Sequence, residues 1–155
     1  MATLKEGDPA PEFTLHRDGG GSVRLSDFQG KPLVLYFYPK DDTPGCTKQA
    51  IGFSESVGDF KAAGAEIVGV SPDGVKSHDK FREKHGLAII LGSDEERAAI
   101  DAYGVWAEKT MYGKTYMGVD RSTFLIGGDG RLVRIWRGVR VPGHVEEVLA
   151  AVRAL

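Results

Sequence analysis

The feature of this sequence that most constrains its fold is a continuous apolar run at residues 33–38. The run reads Leu-Val-Leu-Tyr-Phe-Tyr, is rich in residues that favour strands, and has no polar residue at alternate positions. A strand with one solvent-facing side would alternate apolar and polar residues, so we expect a central strand covered on both faces. Pro39 follows directly and ends the strand.

Strand and helix signals alternate along the rest of the chain. Apolar and polar residues alternate on either side of a glycine-rich tip at residues 18–22, which predicts an N-terminal β-hairpin. The further predicted elements are a helix from residue 44 to Gly64, strands at 66–70 and 87–91, helices at 75–85 and 94–103, an irregular stretch at 104–118, strands at 122–126 and 132–136, and a helix at 143–154. A β-α-β half followed by a β-β-α half is the thioredoxin-like plan, an α/β fold whose central mixed β-sheet is flanked by helices.

Length and charge limit the number of domains and the classes of partner. A chain of 155 residues with 41% hydrophobic residues can bury one core, so we expect a single domain over residues 1–155. The formal net charge of -2 is spread along the chain, which predicts neither a nucleic-acid nor a membrane partner. No apolar stretch approaches the roughly 18 residues of a bilayer span, and residues 1–11 lack the apolar block of a signal peptide. The expected location is therefore cytoplasmic.

The sequence contains one cysteine, Cys46, so an internal disulfide is impossible and the thiol is either inert packing or the reagent. Thr43 and Pro44 match the N-cap and first position of a helix, which places Cys46 in the first turn. Unpaired N–H groups in a first turn favour an anion. Because this turn follows the central strand, the sulfur lies at the carboxyl edge of the sheet, where open α/β folds bind ligands. We therefore predict that Cys46 is a nucleophile and not a buried small hydrophobe.

The residues around this thiol resemble those of a known family. Residues 38–47 read Tyr-Pro-Lys-Asp-Asp-Thr-Pro-Gly-Cys-Thr, which places Pro39, Thr43 and Cys46 in a Pro-x-x-x-Thr-x-x-Cys arrangement. This segment resembles the active site of the peroxiredoxins, most closely that of the bacterioferritin comigratory protein, or Q-type, subfamily. The likeness continues in residues 103–106, 108–109, 113–116 and 121–126.

The resemblance implies a thioredoxin-like fold and the reduction of hydrogen peroxide and organic hydroperoxides without a metal or a bound cofactor. By this resemblance Cys46 would be the peroxidatic nucleophile, and Pro39 would shield it. Thr43 and Arg121 would orient the peroxide and stabilise the thiolate.

A stabilised thiolate alone does not explain rapid peroxide reduction. Stabilising the anion also lowers its nucleophilicity, so the rate must come mainly from fixed donors that stabilise charge moving from sulfur onto the peroxide oxygens. The candidate donors are the Thr43 hydroxyl, the N–H of Cys46 and a guanidinium. Arg121 opens strand 122–126, which the plan makes antiparallel to the central strand. Its guanidinium is therefore expected to meet Cys46.

The chain departs from the family at one position. Many Q-type members have a resolving cysteine five residues after the peroxidatic one, and here that position is Ile51. A sulfenic acid at Cys46 must therefore be resolved from outside, by thioredoxin, glutaredoxin, a low-molecular-weight thiol or a second subunit. The expected assembly is a monomer or a weak homodimer.

Two other functions compete with the peroxidase interpretation. A slow redox-sensing or chaperone module with the same fold would react with peroxide at the rate of a free thiol. A thioredoxin-type disulfide oxidoreductase is disfavoured because the chain has no Cys-x-x-Cys pair.

Histidine and tryptophan residues carry weaker signals. His16, His78, His85 and His144 lack the spacing of metal ligands, so we predict ordinary surface histidines and no metal site. Trp106 and Trp136 are predicted packing residues, and Trp106 is also a candidate for the peroxide entrance.

Overall fold

The computed structural model describes residues 3–155. The strands and helices, in chain order, are β1 (Thr14–Arg17), β2 (Ser22–Arg24), a 3-10 helix (Leu25–Phe28), β3 (Leu33–Phe37), α1 (Pro44–Glu55), α2 (Val57–Ala62), β4 (Glu66–Ser71), α3 (Val75–His85), β5 (Ile90–Ser93), α4 (Ala98–Ala102), β6 (Trp106–Met111), β7 (Lys114–Val119), β8 (Ser122–Ile126), β9 (Leu132–Trp136) and α5 (His144–Arg153). No helix within the described range is long and apolar enough to cross a bilayer.

Seven strands form a mixed sheet in the order β2-β1-β5-β4-β3-β8-β9. Strands β3, β4 and β5 are parallel, whereas β8 runs antiparallel to β3 and β1 antiparallel to β5. The antiparallel pair β1–β2 is the N-terminal hairpin. The predicted thioredoxin-like fold, with its central mixed sheet and its N-terminal β-hairpin, is confirmed.

Every residue of β3 is buried, as the apolar run predicts. Val34, Tyr36 and Tyr38 belong to a core cluster that also contains residues of α1, α2, α3 and α5. Leu33, Leu35 and Phe37 belong to the cluster on the opposite face, together with residues of α4 and the N-terminal hairpin. The strand thus has a hydrophobic layer on each side.

The close packing of β3 on β4 depends on a glycine. Tyr36 lies opposite Gly69 in the parallel register, and a Cβ atom at position 69 would lie 2.7 Å from the Tyr36 Cζ atom. We expect Gly69→Ala to lower the free energy of unfolding by about 1–3 kcal/mol, because the ring has to shift within a packed core. Urea denaturation measures this change.

Gly58 provides the matched control. It lies in α2, and a Cβ atom there would have no heavy atom within 4 Å. Gly58→Ala should therefore leave stability unchanged or raise it by about 0.5–1 kcal/mol. Equal stability of the two variants would contradict the packing argument.

The predicted single helix from residue 44 to Gly64 is wrong, because it is two helices. Ser56 separates α1 from α2 and has a ψ of 4°, outside helical geometry. The apolar spacing of Phe53, Val57 and Phe60 continues across this one-residue interruption, so periodicity did not detect it.

The predicted irregular stretch at 104–118 is also wrong, because most of it is a β-hairpin. Strands β6 and β7 pair antiparallel as a separate two-stranded sheet. Tyr112 and Gly113 form its turn with φ values of 53° and 76°, the positive values of a two-residue hairpin turn. Most of the hairpin is exposed, so the alternation of apolar and polar residues that marks a half-buried strand is missing.

Two further elements have different bounds from those predicted. The strand predicted at 87–91 is β5, which begins at Ile90, where pairing with Val68 starts. The helix predicted at 94–103 is shortened to α4 because Arg97 has a left-handed φ of 60°. The Asp94 carboxylate accepts a hydrogen bond from the N–H of Ile100 at 2.7 Å.

Candidate active site

Cys46 lies in the first turn of α1, directly after the loop that follows β3. Thr43 is the N-cap residue and Pro44 the first helical residue, as the sequence predicts. The thiol is 2% exposed, at the carboxyl end of the central strand. A small oxidant can enter such a site more easily than a bulky reductant.

Arg121 donates a hydrogen bond from Nη2 to the Cys46 Sγ atom at 3.3 Å. The antiparallel register explains this contact, because Phe37 at the end of β3 lies opposite Ser122 at the start of β8. Gly45 leaves room for the guanidinium, since a Cβ atom at position 45 would lie 3.2 Å from Nη2. The structure therefore brings the predicted thiol and the predicted guanidinium together.

Gln49 holds the other arm of this guanidinium. Its Oε1 atom accepts a hydrogen bond from Arg121 Nη1 at 2.6 Å, and the residue is completely buried. Its Nε2 atom has no hydrogen-bond partner within residues 3–155. Sequence reasoning missed Gln49, although a polar residue three positions after Cys46, on the same helix face as Phe53, is a usable signal.

The Thr43 hydroxyl donates to the Lys40 carbonyl oxygen at 2.8 Å. It makes no side-chain capping bond to α1, whereas its main-chain carbonyl accepts from the N–H of Thr47 at 2.8 Å. Because the hydroxyl proton is engaged by Lys40, the prediction that this hydroxyl donates to the reacting centre is corrected: only the lone pairs of Oγ1 are available as acceptors. Pro39 is half-buried and separates Tyr38 from this loop.

The charges of Cys46 and Arg121 contribute to the pKa shifts of two further residues, Tyr36 and Lys109. Burial raises the pKa of Tyr36 well above its ordinary value; the Cys46 charge adds to this shift and the Arg121 charge opposes it. Burial lowers the pKa of Lys109, and Arg121 lowers it further, against the opposing effects of Asp120 and Cys46. Lys109 lies on β6, so the β6–β7 hairpin, predicted from the sequence to be an irregular stretch, brings a second cation towards the site.

Two of the four histidines are buried, which corrects the surface prediction. His78 is inaccessible to solvent, with Nδ1 2.7 Å from the Asp41 carboxylate. His144 is 4% exposed and its Nε2 lies 2.8 Å from the Thr123 hydroxyl, while burial lowers its pKa. No group of three or more histidine, cysteine or acidic side chains suited to a metal occurs in the described part of the chain.

The two tryptophans make specific contacts. The guanidinium of Arg97 lies 4.4 Å from the ring centre of Trp106, which packs against the hydrophobic core. Trp136 donates from Nε1 to Glu147 at 2.7 Å. A place for Trp106 at the peroxide entrance stays a prediction.

The site is a buried thiol that accepts a hydrogen bond from a guanidinium, and together with the relatives this makes the protein a thiol-dependent redox protein with a thioredoxin-like fold. The chain belongs to the AhpC/TSA family, whose family model matches residues 6–135. Relatives named Bcp and PrxQ confirm the resemblance to the Q-type peroxiredoxins.

Peroxiredoxin Bcp of Bacillus subtilis is 48% identical over 151 residues, which cover 97% of this chain and 96% of the relative. A solved structure of a PrxQ cysteine-to-serine mutant from Xylella fastidiosa superposes with a TM-score of 0.93 at 42% identity, covering 99% of this chain and 98% of that one. A structure of the Xanthomonas campestris bacterioferritin comigratory protein, described for its alkyl peroxide reduction activity, has a TM-score of 0.87 at 47% identity and covers 92% and 90% of the two chains.

Proposed function

We propose that the protein is a thiol-dependent peroxidase that reduces hydrogen peroxide and organic hydroperoxides through a Cys46 sulfenic acid, which an external thiol resolves. The observation that carries this proposal is the 3.3 Å hydrogen bond from the Arg121 guanidinium to the only sulfhydryl of the chain. The alkyl peroxide reduction described for the Xanthomonas campestris relative supports the same substrate class.

In the first half-reaction the Cys46 thiolate attacks the nearer peroxide oxygen. The S–O bond forms as the O–O bond breaks, and the departing oxygen takes a proton from solvent, equal to the one the thiol released on ionisation, and leaves as water or an alcohol. Arg121 stabilises the thiolate and then the charge that moves onto the peroxide oxygens. Thr43 Oγ1, whose own proton is bound to the Lys40 carbonyl, accepts a hydrogen bond from the peroxide O–H and orients it. Pro39 limits the access of water to the sulfur.

In the second half-reaction an external thiol attacks the sulfenic sulfur, which releases water and forms a mixed disulfide. A second thiol then reduces this disulfide and restores the thiolate. Ile51, half-buried on α1, occupies the position of a resolving cysteine in related proteins and cannot supply the thiol. The reductant is a thioredoxin, a glutaredoxin or a low-molecular-weight thiol. The chain forms a single domain in this proposal, and the protein is a monomer or a weak homodimer. Its cytoplasmic location stays a prediction.

Titration with hydrogen peroxide tests this proposal. We expect one equivalent to convert Cys46 into a sulfenic acid that reacts with dimedone, as measured by intact-protein and peptide mass spectrometry. Cys46→Ser gives the blank.

The rate constant of sulfenate formation, measured by stopped flow, distinguishes a peroxidase from a slow redox-sensing or chaperone module. A sulfenate that forms only at the rate of a free thiol would favour the redox-sensing or chaperone module instead. A failure to form any dimedone adduct at Cys46 would remove the peroxidase proposal.

A further inference from the structure

The loop before the catalytic helix is attached to α3 through one buried carboxylate. Asp41 is 7% exposed, and its Oδ1 accepts a hydrogen bond from the Tyr38 hydroxyl at 2.6 Å. Its Oδ2 accepts from the Ser77 hydroxyl at 2.8 Å and lies 2.7 Å from His78 Nδ1. We call these four residues, Tyr38, Asp41, Ser77 and His78, the Asp41 clamp.

The partners of His78 show that the Asp41 clamp holds an extra proton. The His78 Nε2 atom lies 2.9 Å from the Gly92 carbonyl oxygen, which can only accept, so Nε2 carries a hydrogen. The Nδ1 atom faces a carboxylate that already accepts from two hydroxyl groups, and a proton must lie between them. Asp41 and His78 therefore form a buried pair of carboxylate and imidazolium.

The groups around His78 favour this protonated form. Burial lowers the pKa of His78, but the hydrogen bond and charge of Asp41, the Gly92 carbonyl and the charge of Asp73 outweigh it, so the net shift is upward. Tyr38 lies 6.5 Å from His78 between ring centres, and its pKa is raised well above the ordinary value, first by burial. Tyr38 thus stays a donor while His78 titrates.

A second contact ties the same residue to the sheet. The N–H of Asp41 donates to Asp73 Oδ2 at 2.8 Å, and the same oxygen accepts from the Ser71 hydroxyl at 2.7 Å. Asp42 makes exposed contacts with Lys84 and His85, which contribute little in water. The buried attachment of the loop is therefore concentrated at Asp41, five residues before Cys46.

The two half-reactions need different states of this loop. A peroxide reacts with Cys46 in the closed site, where Arg121 is hydrogen-bonded to the sulfur. A reductant must bring its own sulfur into line with the Cys46 sulfur, which is 2% exposed. Such an approach requires movement of the loop and the first turn of α1, and the Asp41 clamp binds this loop to α3.

We propose that His78 is a positioning residue that, acting through Asp41, holds the loop closed for peroxide attack and releases it to the external thiol when it loses its proton. This inference rests on the proposed function and adds the regulation of its second half-reaction. Tyr38 and Ser77 complete the closed arrangement by satisfying the remaining lone pairs of Asp41.

The direction of the pH effect follows from the raised pKa of His78 in the closed form. The stabilisation of the closed form is fully present below the ordinary histidine value of about 6.5 and is lost as the pH rises through the raised pKa. Opening therefore becomes more favourable with rising pH in this window. Each unit by which the clamp raises the pKa corresponds to a change of about tenfold in the opening equilibrium.

The decisive experiment measures the second half-reaction alone. Sulfenate is formed with one equivalent of hydrogen peroxide, and its reduction by a small monothiol is followed from about pH 6 to about pH 9, with the rate divided by the thiolate fraction of the monothiol. In the wild-type protein the corrected rate should rise with pH. His78→Asn keeps a donor for Asp41 but cannot titrate, so its profile should be flat and its rate near pH 6 about tenfold higher than that of the wild type.

A comparison of the two half-reactions separates this role from a merely structural one. We expect His78→Asn to raise kcat/KM for the monothiol and to lower kcat/KM for peroxide only slightly, because asparagine still donates to Asp41 and the loop stays mostly closed; general damage to the fold would lower both. His85→Asn is the matched control, because His85 lies on the same helix but pairs with Asp42 at the surface. It should keep the wild-type profile.

Hydrogen exchange at the Asp41 amide gives a readout that needs no activity. After correction for intrinsic exchange, opening in the wild-type protein should increase with pH, and this holds even if His78→Asn does not fold. If the wild-type protein forms sulfenate but its corrected reduction rate does not change with pH, the role of the Asp41 clamp is overturned and the peroxidase proposal stands. If exchange at the Asp41 amide depends on pH but no sulfenate forms, the clamp stands and the peroxidase proposal is overturned.

Discussion

Arg121→Met should lower the second-order rate constant for oxidation of Cys46 by hydrogen peroxide by about 10²–10³-fold. The guanidinium donates directly to the sulfur at 3.3 Å, and the reaction moves negative charge from that sulfur to the peroxide oxygens. The largest part of the loss should appear in kcat/KM for peroxide. Stopped-flow measurement of sulfenate formation gives this constant without interference from the reductant.

Two variants identify the cause of that loss. Arg121→Lys keeps the positive charge but lacks the planar fork whose two nitrogens reach Gln49 and Cys46, so it should recover only a small part of the rate. Arg140→Met removes an exposed arginine and should change nothing. Full activity of Arg121→Lys would mean that charge alone, and not the two-armed geometry, accelerates the reaction.

Local patterns were sufficient for the elements that dominate the core. The apolar run at 33–38 predicted a strand buried on both sides, and Gly86, which adopts a left-handed φ of 61°, ended the helix at His85 as predicted. The place of Arg121 near Cys46 followed from the antiparallel direction of β8 relative to β3. The first two inferences needed only local patterns, whereas the choice of Arg121 used topology together with the resemblance to the peroxiredoxins.

Interactions between distant residues could not be predicted in this way. Asp41 and His78 are 37 positions apart, and nothing near either of them shows that one contacts the other. A histidine considered alone is more often at the surface, so the sequence predicts a surface position for His78. The β6–β7 hairpin was missed for a different reason, because its strands are mostly exposed and their sequence has no apolar face.

Gln49 is the residue of the candidate site whose role follows most directly from one distance. Its Oε1 accepts from Arg121 Nη1 at 2.6 Å, which orients the guanidinium so that Nη2 points at Cys46. Gln49→Met fills a similar volume but leaves Nη1 without this acceptor. We expect kcat/KM for peroxide to fall by about 10- to 100-fold, since a hydrogen bond to a charged group contributes about 1.5–3 kcal/mol.

Gln49→Glu is the informative partner of this variant, because it keeps an acceptor at the same position. The carboxylate should hold Arg121 in place and retain most of the activity, so the acceptor rather than the amide is the property that matters. Thermal unfolding of both variants shows whether the fold survives. If Gln49→Met folds normally and reacts with peroxide as fast as the wild type, Arg121 is oriented by the thiolate itself and Gln49 has no positioning role.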